Sequence, residues 1–279
     1  MIDETFKEGD KHAAFARMFY TVDKKRSEEE AKKALDEYNK AHKKDPSNPQ
    51  YYFKVGDLFM KTGRPLEALE QFDKALEIKP DSANYHTAKG TALNELGRYQ
   101  EALEELDRAL SLNQKSSNAL LQKSIALKNI GRFDESLSSI NLAIQYFPRY
   151  AGLESILAYY YEIKAGVLMA MGSFGEALSV LDEAERISPV DKKGYDTRRV
   201  MRANLLNLNG RYQEALDEFT FLLSVSPNNA FFHYGKAIAL ENLGNYSLAK
   251  VEIENAYQLD PTNQLFKTAR DRIEKHQGQ

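Results

Sequence analysis

The chain contains no cysteine and no tryptophan. Without thiols it has no disulfide, no thiol nucleophile and no cysteine for a lipid anchor. Glycine and proline are sparse, at 15 and 8 of 279 residues. No apolar run approaches the length of a membrane span. The opening residues, MIDETFKEGDKH, lack the apolar core of a secretory signal, and the cytoplasm is the expected compartment. A formal net charge of −3 argues against a nucleic-acid groove, which needs a basic footprint. Histidines 12, 42, 86, 233 and 276 are scattered without metal-ligand spacing, and no glycine-rich phosphate loop is present. No metal or other cofactor is expected, and no catalytic residue can be named.

The few glycines and prolines are placed with a period. Gly63, Gly97, Gly131, Gly172, Gly210 and Gly244 each close an apolar run. Five residues after each comes a small residue: Ala68, Ala102, Ser136, Ala177, Ala215 and Ala249. Seven further on stand Ala75, Ala109, Ala143, Ala184, Leu222 and Ala256, and then Pro80, Pro148, Pro189, Pro227 and Pro261, with Gln114 in the second copy. The physical reading is a helical hairpin. Glycine accepts positive φ in the turn, the small residue lets two helices approach, and proline ends the unit. The glycine spacings are 34, 34, 41, 38 and 34.

A tandem 34-residue hairpin with this punctuation resembles the tetratricopeptide repeat family, over about residues 28–263. In the first clear copy Tyr52, Val55, Gly56 and Phe59 stand nearest the family's helix-A pattern, and Gly90 keeps its glycine in the next. The resemblance implies an all-α fold: a right-handed α-solenoid, or superhelix, of antiparallel helix pairs. It comprises about six to seven units and a C-terminal capping helix. Residues 1–48 hold N-terminal helices and a degenerate first repeat, whose second helix is expected to open at the capping box Ser27-Glu28-Glu29-Glu30. Phe15, Met18, Phe19 and Val22 share one face of a helix before it. Residues 49–150 hold three regular units. Residues 151–191 hold one whose first helix is lengthened by extra residues near 151–157. Residues 192–263 hold two more, the first with four extra residues near 192–195. The stripe Phe266, Ala269 and Ile273 marks a capping helix over 264–279.

In this family the first helix of each pair lines an inner groove for another polypeptide. Carried over, the wall comprises Phe53, Asp57, Asn84, Asn94, Asn118, Leu121, Lys128, Tyr159, Glu162, Asn204, Asn207, Phe231 and Tyr234. Side-chain amides can hold a peptide backbone because they donate and accept, and aromatics can anchor side chains. The alternative is a solvated wall without a ligand. The clamp that some members use for chaperone C-termini is absent: Phe53, Asp57, Ala88, Asn118 and Gln122 stand at its positions. Two further surfaces are candidates. Lys192, Lys193, Arg198, Arg199 and Arg202 could receive an acidic partner, or could be a solvated face balanced by Asp182, Glu183 and Glu185. The tyrosine-rich segment 146–161 could self-associate or pack internally. The expected function is a non-enzymatic interaction scaffold. A regulatory or substrate-recognition subunit of an enzyme complex is the alternative; nucleic acid and membrane are not expected partners.

Overall fold

A computed structural model describes residues 6–189 and 197–277, and the described residues form fifteen α-helices and no strand. They run as α1 (Lys7–Phe19), α2 (Lys24–Lys44), α3 (Pro49–Lys61), α4 (Pro65–Ile78), α5 (Ala83–Glu95), α6 (Tyr99–Leu112), α7 (Ser117–Asn129) and α8 (Phe133–Gln145). Then come α9 (Glu154–Ala170), α10 (Phe174–Ile187), α11 (Thr197–Leu208), α12 (Tyr212–Val225), α13 (Ala230–Asn242), α14 (Tyr246–Leu259) and α15 (Gln264–Gln277). Each odd helix packs on the next even one, and successive hairpins meet through the even helix and the next odd one within residues 7–145 and again within residues 154–277. The result is an all-α repeat solenoid. It divides into two compact units, residues 1–148 and 149–279.

The punctuation acts as its chemistry requires. All six turn glycines have positive φ, between 68° and 80°. The small residues five positions on and the residues seven beyond those are all fully buried at the hairpin contacts. Where Ser136 replaces alanine, its hydroxyl donates to the Ser124 carbonyl at 2.7 Å and lies 2.9 Å from the Ser124 hydroxyl, so the buried pair is satisfied. Side-chain caps open several first helices: Asn48, Ser82, Ser116 and Asn229 each accept from a backbone N–H in the first turn. The glycine of α3 is a close approach, since a Cβ at Gly56 would stand 2.5 Å from the Phe72 ring.

The first hairpin departs from expectation. The helix does not open at Ser27: α2 begins at Lys24, and Asp23 is its cap, accepting from the Arg26 N–H at 3.0 Å. Ser27 lies inside the helix, where its buried hydroxyl donates to the Ala16 carbonyl at 2.7 Å and ties α2 to α1. Nor is α1 buried by its large apolar face. Gly9, Ala13 and Ala16 pack inward, while Phe15, Met18 and Val22 are exposed. Small residues permit a closer helix crossing than Phe or Met would. Gly9 meets Tyr38 as Gly56 meets Phe72, but 29 residues separate the first pair and 16 the second. Both arms are therefore longer at their turn: α2 has 21 residues where α4 has 14.

The fifth pair, α9 and α10, is only partly as expected. Its first helix, α9, has 17 residues against 13 in α7, one extra turn. The other inserted residues form a bend containing Gly152 at φ 89°. The four extra residues near 192–195 lie outside the described residues. Phe266, Ala269 and Ile273 are buried in one cluster with Ile253 and Ala256, so α15 packs its apolar stripe on the hairpin before it.

Candidate functional site

In the first unit, α3, α5 and α7 carry one wall of a cleft of about 810 Å³. Phe53, Met60 and Phe72 form its apolar part; Asn84 and Asn118 stand along it, with Asp57, Lys61, Glu95 and Arg17 around them. Asp57 is already paired with Lys61 at 2.7 Å. Arg17 and Glu95 form no ion pair among the described residues, and burial pushes the Glu95 carboxyl up. Asn84 and Asn118 are exposed, equivalent in successive repeats, and their amides make no hydrogen bond within the described residues. Each can therefore offer a donor and an acceptor to a ligand.

Asn94 and Leu121 differ from their neighbours on that wall. Leu121 is buried. Asn94 is 8% exposed, and its Nδ2 donates to the Gln122 carbonyl at 2.9 Å, bridging α5 to α7. In the second unit Asn207 repeats the bridge, donating to the Gly235 carbonyl at 2.9 Å. Both amides are committed to the next helix pair. Their Oδ1 atoms are buried without a hydrogen-bond partner among the described residues. Lys128 is half-buried and lines neither cleft.

The second unit has its own cleft, of about 540 Å³, between α9, α11 and α13. Met169, Val200, Met201, Leu208, Tyr234 and Ile238 line it, with Thr197, Asn204 and Asn207, and among the described residues no charged side chain takes part. The remaining wall residues of this unit lie elsewhere. Tyr159 is exposed, Phe231 is exposed with its ring edge on Phe266 at 5.2 Å, and Glu162 is engaged by Arg198.

The basic stretch is internally neutralised where it is described. Arg198 is buried and reaches Glu162 at 2.8 Å, Glu185 at 3.0 Å and the Ser188 carbonyl at 2.7 Å. Arg202 pairs with Asp182 at 2.6 Å. Arg199 faces Glu218 at 3.6 Å, and its guanidinium lies 3.9 Å over the Phe221 ring in a cation–π contact. Lys192 and Lys193 lie outside the described residues. In the segment 146–161, Phe147 and Tyr160 are buried, whereas Tyr150, Ile156 and Tyr159 are exposed.

A polar triad that the sequence reading passed over recurs in both units. His86 Nδ1 stands 2.6 Å from Glu105 and its Nε2 2.8 Å from the Pro80 carbonyl, and Lys89 reaches the same carboxylate at 3.1 Å. His233, Glu252, Pro227 and Lys236 repeat the arrangement at 2.6, 2.9 and 2.8 Å. Burial works against the charge on Glu105, but hydrogen bonds from His86 and Lys89 outweigh it and hold its carboxyl below the usual range. For Glu252, Lys236 and His233 overcome burial in the same way. The signal was His-x-x-Lys on the first helix with Glu sixteen residues after the Lys. The role is to lock a hairpin and the loop before it. Among the described residues no group of three or more His, Asp or Glu could hold a metal ion, and no helix is long and apolar enough to cross a membrane.

Two family models match the chain. One, described as anaphase-promoting complex, cyclosome, subunit 3, matches residues 28–109. The other, described as tetratricopeptide repeat, matches residues 87–152 and 200–263. No curated protein matches. Solved structures do. YrrB, described as a TPR protein with an unusual peptide-binding site, is similar at TM-score 0.57 and 19% identity, over 73% of this chain and 99% of its own. The APC/C hetero-tetramer Cut9-Hcn1 is similar at TM-score 0.68 and 15% identity, over 85% of this chain and 45% of the matched one. The pilF protein of Pseudomonas aeruginosa is similar at TM-score 0.65 and 18% identity, over 82% and 98%. At such identities the likeness is one of fold.

Proposed function

Since the chain belongs to the tetratricopeptide repeat family, whose members serve as protein-interaction scaffolds, we propose that it is a non-enzymatic scaffold whose inner walls hold a segment of another protein. The observation that carries this reading is the pair Asn84 and Asn118. Their uncommitted amides stand one repeat apart in a cleft with an apolar part formed by Phe53, Met60 and Phe72. An extended peptide presents alternating N–H and carbonyl groups, which such amides can match. Its apolar side chains would rest on the aromatic part. The cleft of the second unit, whose described lining is largely apolar with Asn204 and Tyr234 at its wall, would take an apolar segment. Tyr150, Ile156 and Tyr159 are assigned as a self-association surface, which a monomeric mass across micromolar concentrations would remove.

The test is peptide selection from a random display library on the full chain, followed by affinity measurement on Asn84→Ala/Asn118→Ala. Each lost hydrogen bond is worth about 1 kcal/mol, so the double variant should bind roughly thirtyfold more weakly. Unchanged affinity for every selected peptide overturns the assignment. The match of residues 28–109 to a complex-subunit model supports a second reading, a recognition subunit of an enzyme complex. Recovery of one enzyme at fixed stoichiometry from native extract would favour it.

A further inference from the structure

The longer first hairpin creates a further recess in the first unit, adjoining the inner-wall cleft at Tyr20 and Gly63. Seven residues at the start of α2 have no counterpart in α4, and the turn that precedes them, Tyr20–Asp23, overhangs the next turn, Thr62–Arg64. Tyr20 reaches so far that a Cβ on Gly63 would collide with its hydroxyl. Under the overhang lies a cleft of about 550 Å³, within the range of sites that hold small ligands or peptide side chains. Its apolar part is Ala31, Leu35, Leu58 and Phe59, walled by Tyr20. In a regular stack such a stripe would be covered by a hairpin of matching length.

The mouth of the cleft is basic. Lys24, Lys32 and Arg64 stand there with one carboxylate, Glu28. Arg64 donates to Glu67 at 2.9 Å and lies 4.3 Å over the Phe59 ring. Lys24 and Lys32 form no ion pair among the described residues. This is unlike Lys54, Lys89 and Lys123, each of which reaches a carboxylate on a neighbouring helix at 2.6–2.8 Å. Two ammonium groups that form no ion pair, with the single carboxylate of Glu28 between them, stand above an apolar recess and call for a ligand that is apolar at its tip and anionic beside it. Glu28 and Glu67 would repel a uniformly anionic surface such as a membrane. Discrete carboxylates on a peptide can avoid them.

The geometry points to this cleft as a docking site for an acidic segment of a partner protein, one or two apolar side chains seated against Leu35, Leu58 and Phe59 with neighbouring Asp or Glu meeting Lys24 and Lys32. Tyr20 and Gly63 line this cleft and the inner-wall cleft alike, but Leu35, Leu58, Phe59, Lys24 and Lys32 line only this one and Asn84 and Asn118 only the other, so the two sites can be tested apart.

The experiment uses the full chain. Random peptides are selected by display on it and counter-selected on Lys24→Glu/Lys32→Glu, whose exposed helical positions should leave the far-ultraviolet circular dichroism unchanged. Because the chain lacks tryptophan, Phe59→Trp supplies a single emission inside the cleft. Peptides lost on the charge-reversed variant should carry Leu, Ile, Phe or Met beside Asp or Glu and shift that emission to the blue. They should bind the variant about tenfold more weakly, as two exposed ion pairs turned repulsive imply. Asn84→Ala/Asn118→Ala should leave them unaffected. The inference is overturned if no peptide discriminates the variant, if the discriminating peptides are basic, if their binding follows Asn84 and Asn118, or if phosphatidylserine vesicles bind the chain through Lys24 and Lys32.

Discussion

Two helical glycines should respond oppositely to the same methyl group. Gly90 lies within α5, where a Cβ would stand 2.7 Å from Leu106 Cγ, 3.0 Å from Leu106 Cδ2 and 3.4 Å from the Ala102 carbonyl oxygen. Leu106 is fully buried among Leu93, Leu103 and Leu127, so it has little room to withdraw. Gly166 lies within α9, and an added Cβ there meets nothing within 4 Å. Alanine gains about 0.8–1 kcal/mol over glycine in a helix interior. Overpacking costs about 1–3 kcal/mol. Gly166→Ala should therefore stabilise by roughly 1 kcal/mol, and Gly90→Ala should destabilise by a net 0–2 kcal/mol or so. Urea midpoints at constant slope, with amide exchange of α5 and α9 to localise the change, read the difference. Equal shifts of the same sign would refute the reasoning, because helix propensity alone would then account for both.

Other perturbations have fixed signs. Glu105 and Glu252 are held below the usual carboxylate range, so their contribution is complete above the unfolded-state value and is lost as pH falls through the folded one. Wild-type urea midpoints should hold from neutral pH to about 5 and drop below roughly 4.5, and Glu105→Gln should reduce that slope. Arg198→Ala leaves Glu162 without its buried partner and should cost about 3–5 kcal/mol, measured by denaturation; a cost near that of an exposed ion pair would contradict the burial. Asp23→Ala removes the cap of α2 and should cost about 1 kcal/mol, seen as faster amide exchange over residues 24–31. Asn94→Ala breaks the bridge to Gln122 and should lower stability by about 1 kcal/mol while leaving peptide affinity intact; lost affinity at unchanged stability would return Asn94 to the groove.

The pairing of helices was legible because it rests on residues whose roles are local. A glycine at positive φ, an alanine at a helix crossing and a proline after the last turn act within one hairpin, so their spacing announces it. The same logic explains the error at Ser27. A capping box is also local, but which of Asp23 and Ser27 caps the helix depends on how far α1 runs alongside, and that is decided by Gly9, Ala13, Ala16 and Tyr38 across the hairpin. The wall residues were legible only as positions. Asn84 and Asn94 are the same residue type on the same helix, and nothing in their letters says that one amide is uncommitted and the other is used by the Gln122 carbonyl. Burial of Arg198 was equally hidden, since its partners come from two other helices.

A repeat fold confines change to its turns. Inserting residues between the helices of a pair lengthens both arms without disturbing the small-residue contacts that hold the pair together. The first hairpin shows this: Gly9 still meets Tyr38 as Gly56 meets Phe72, although the segment joining them has grown. What the insertion changes is the match between neighbours, because a longer arm leaves apolar side chains where a regular stack has none to spare. The places where the period breaks are therefore where this chain can acquire surface that its family does not share. The cleft beneath Tyr20 follows from that principle, and Lys24 and Lys32 at its mouth give the new surface a sign.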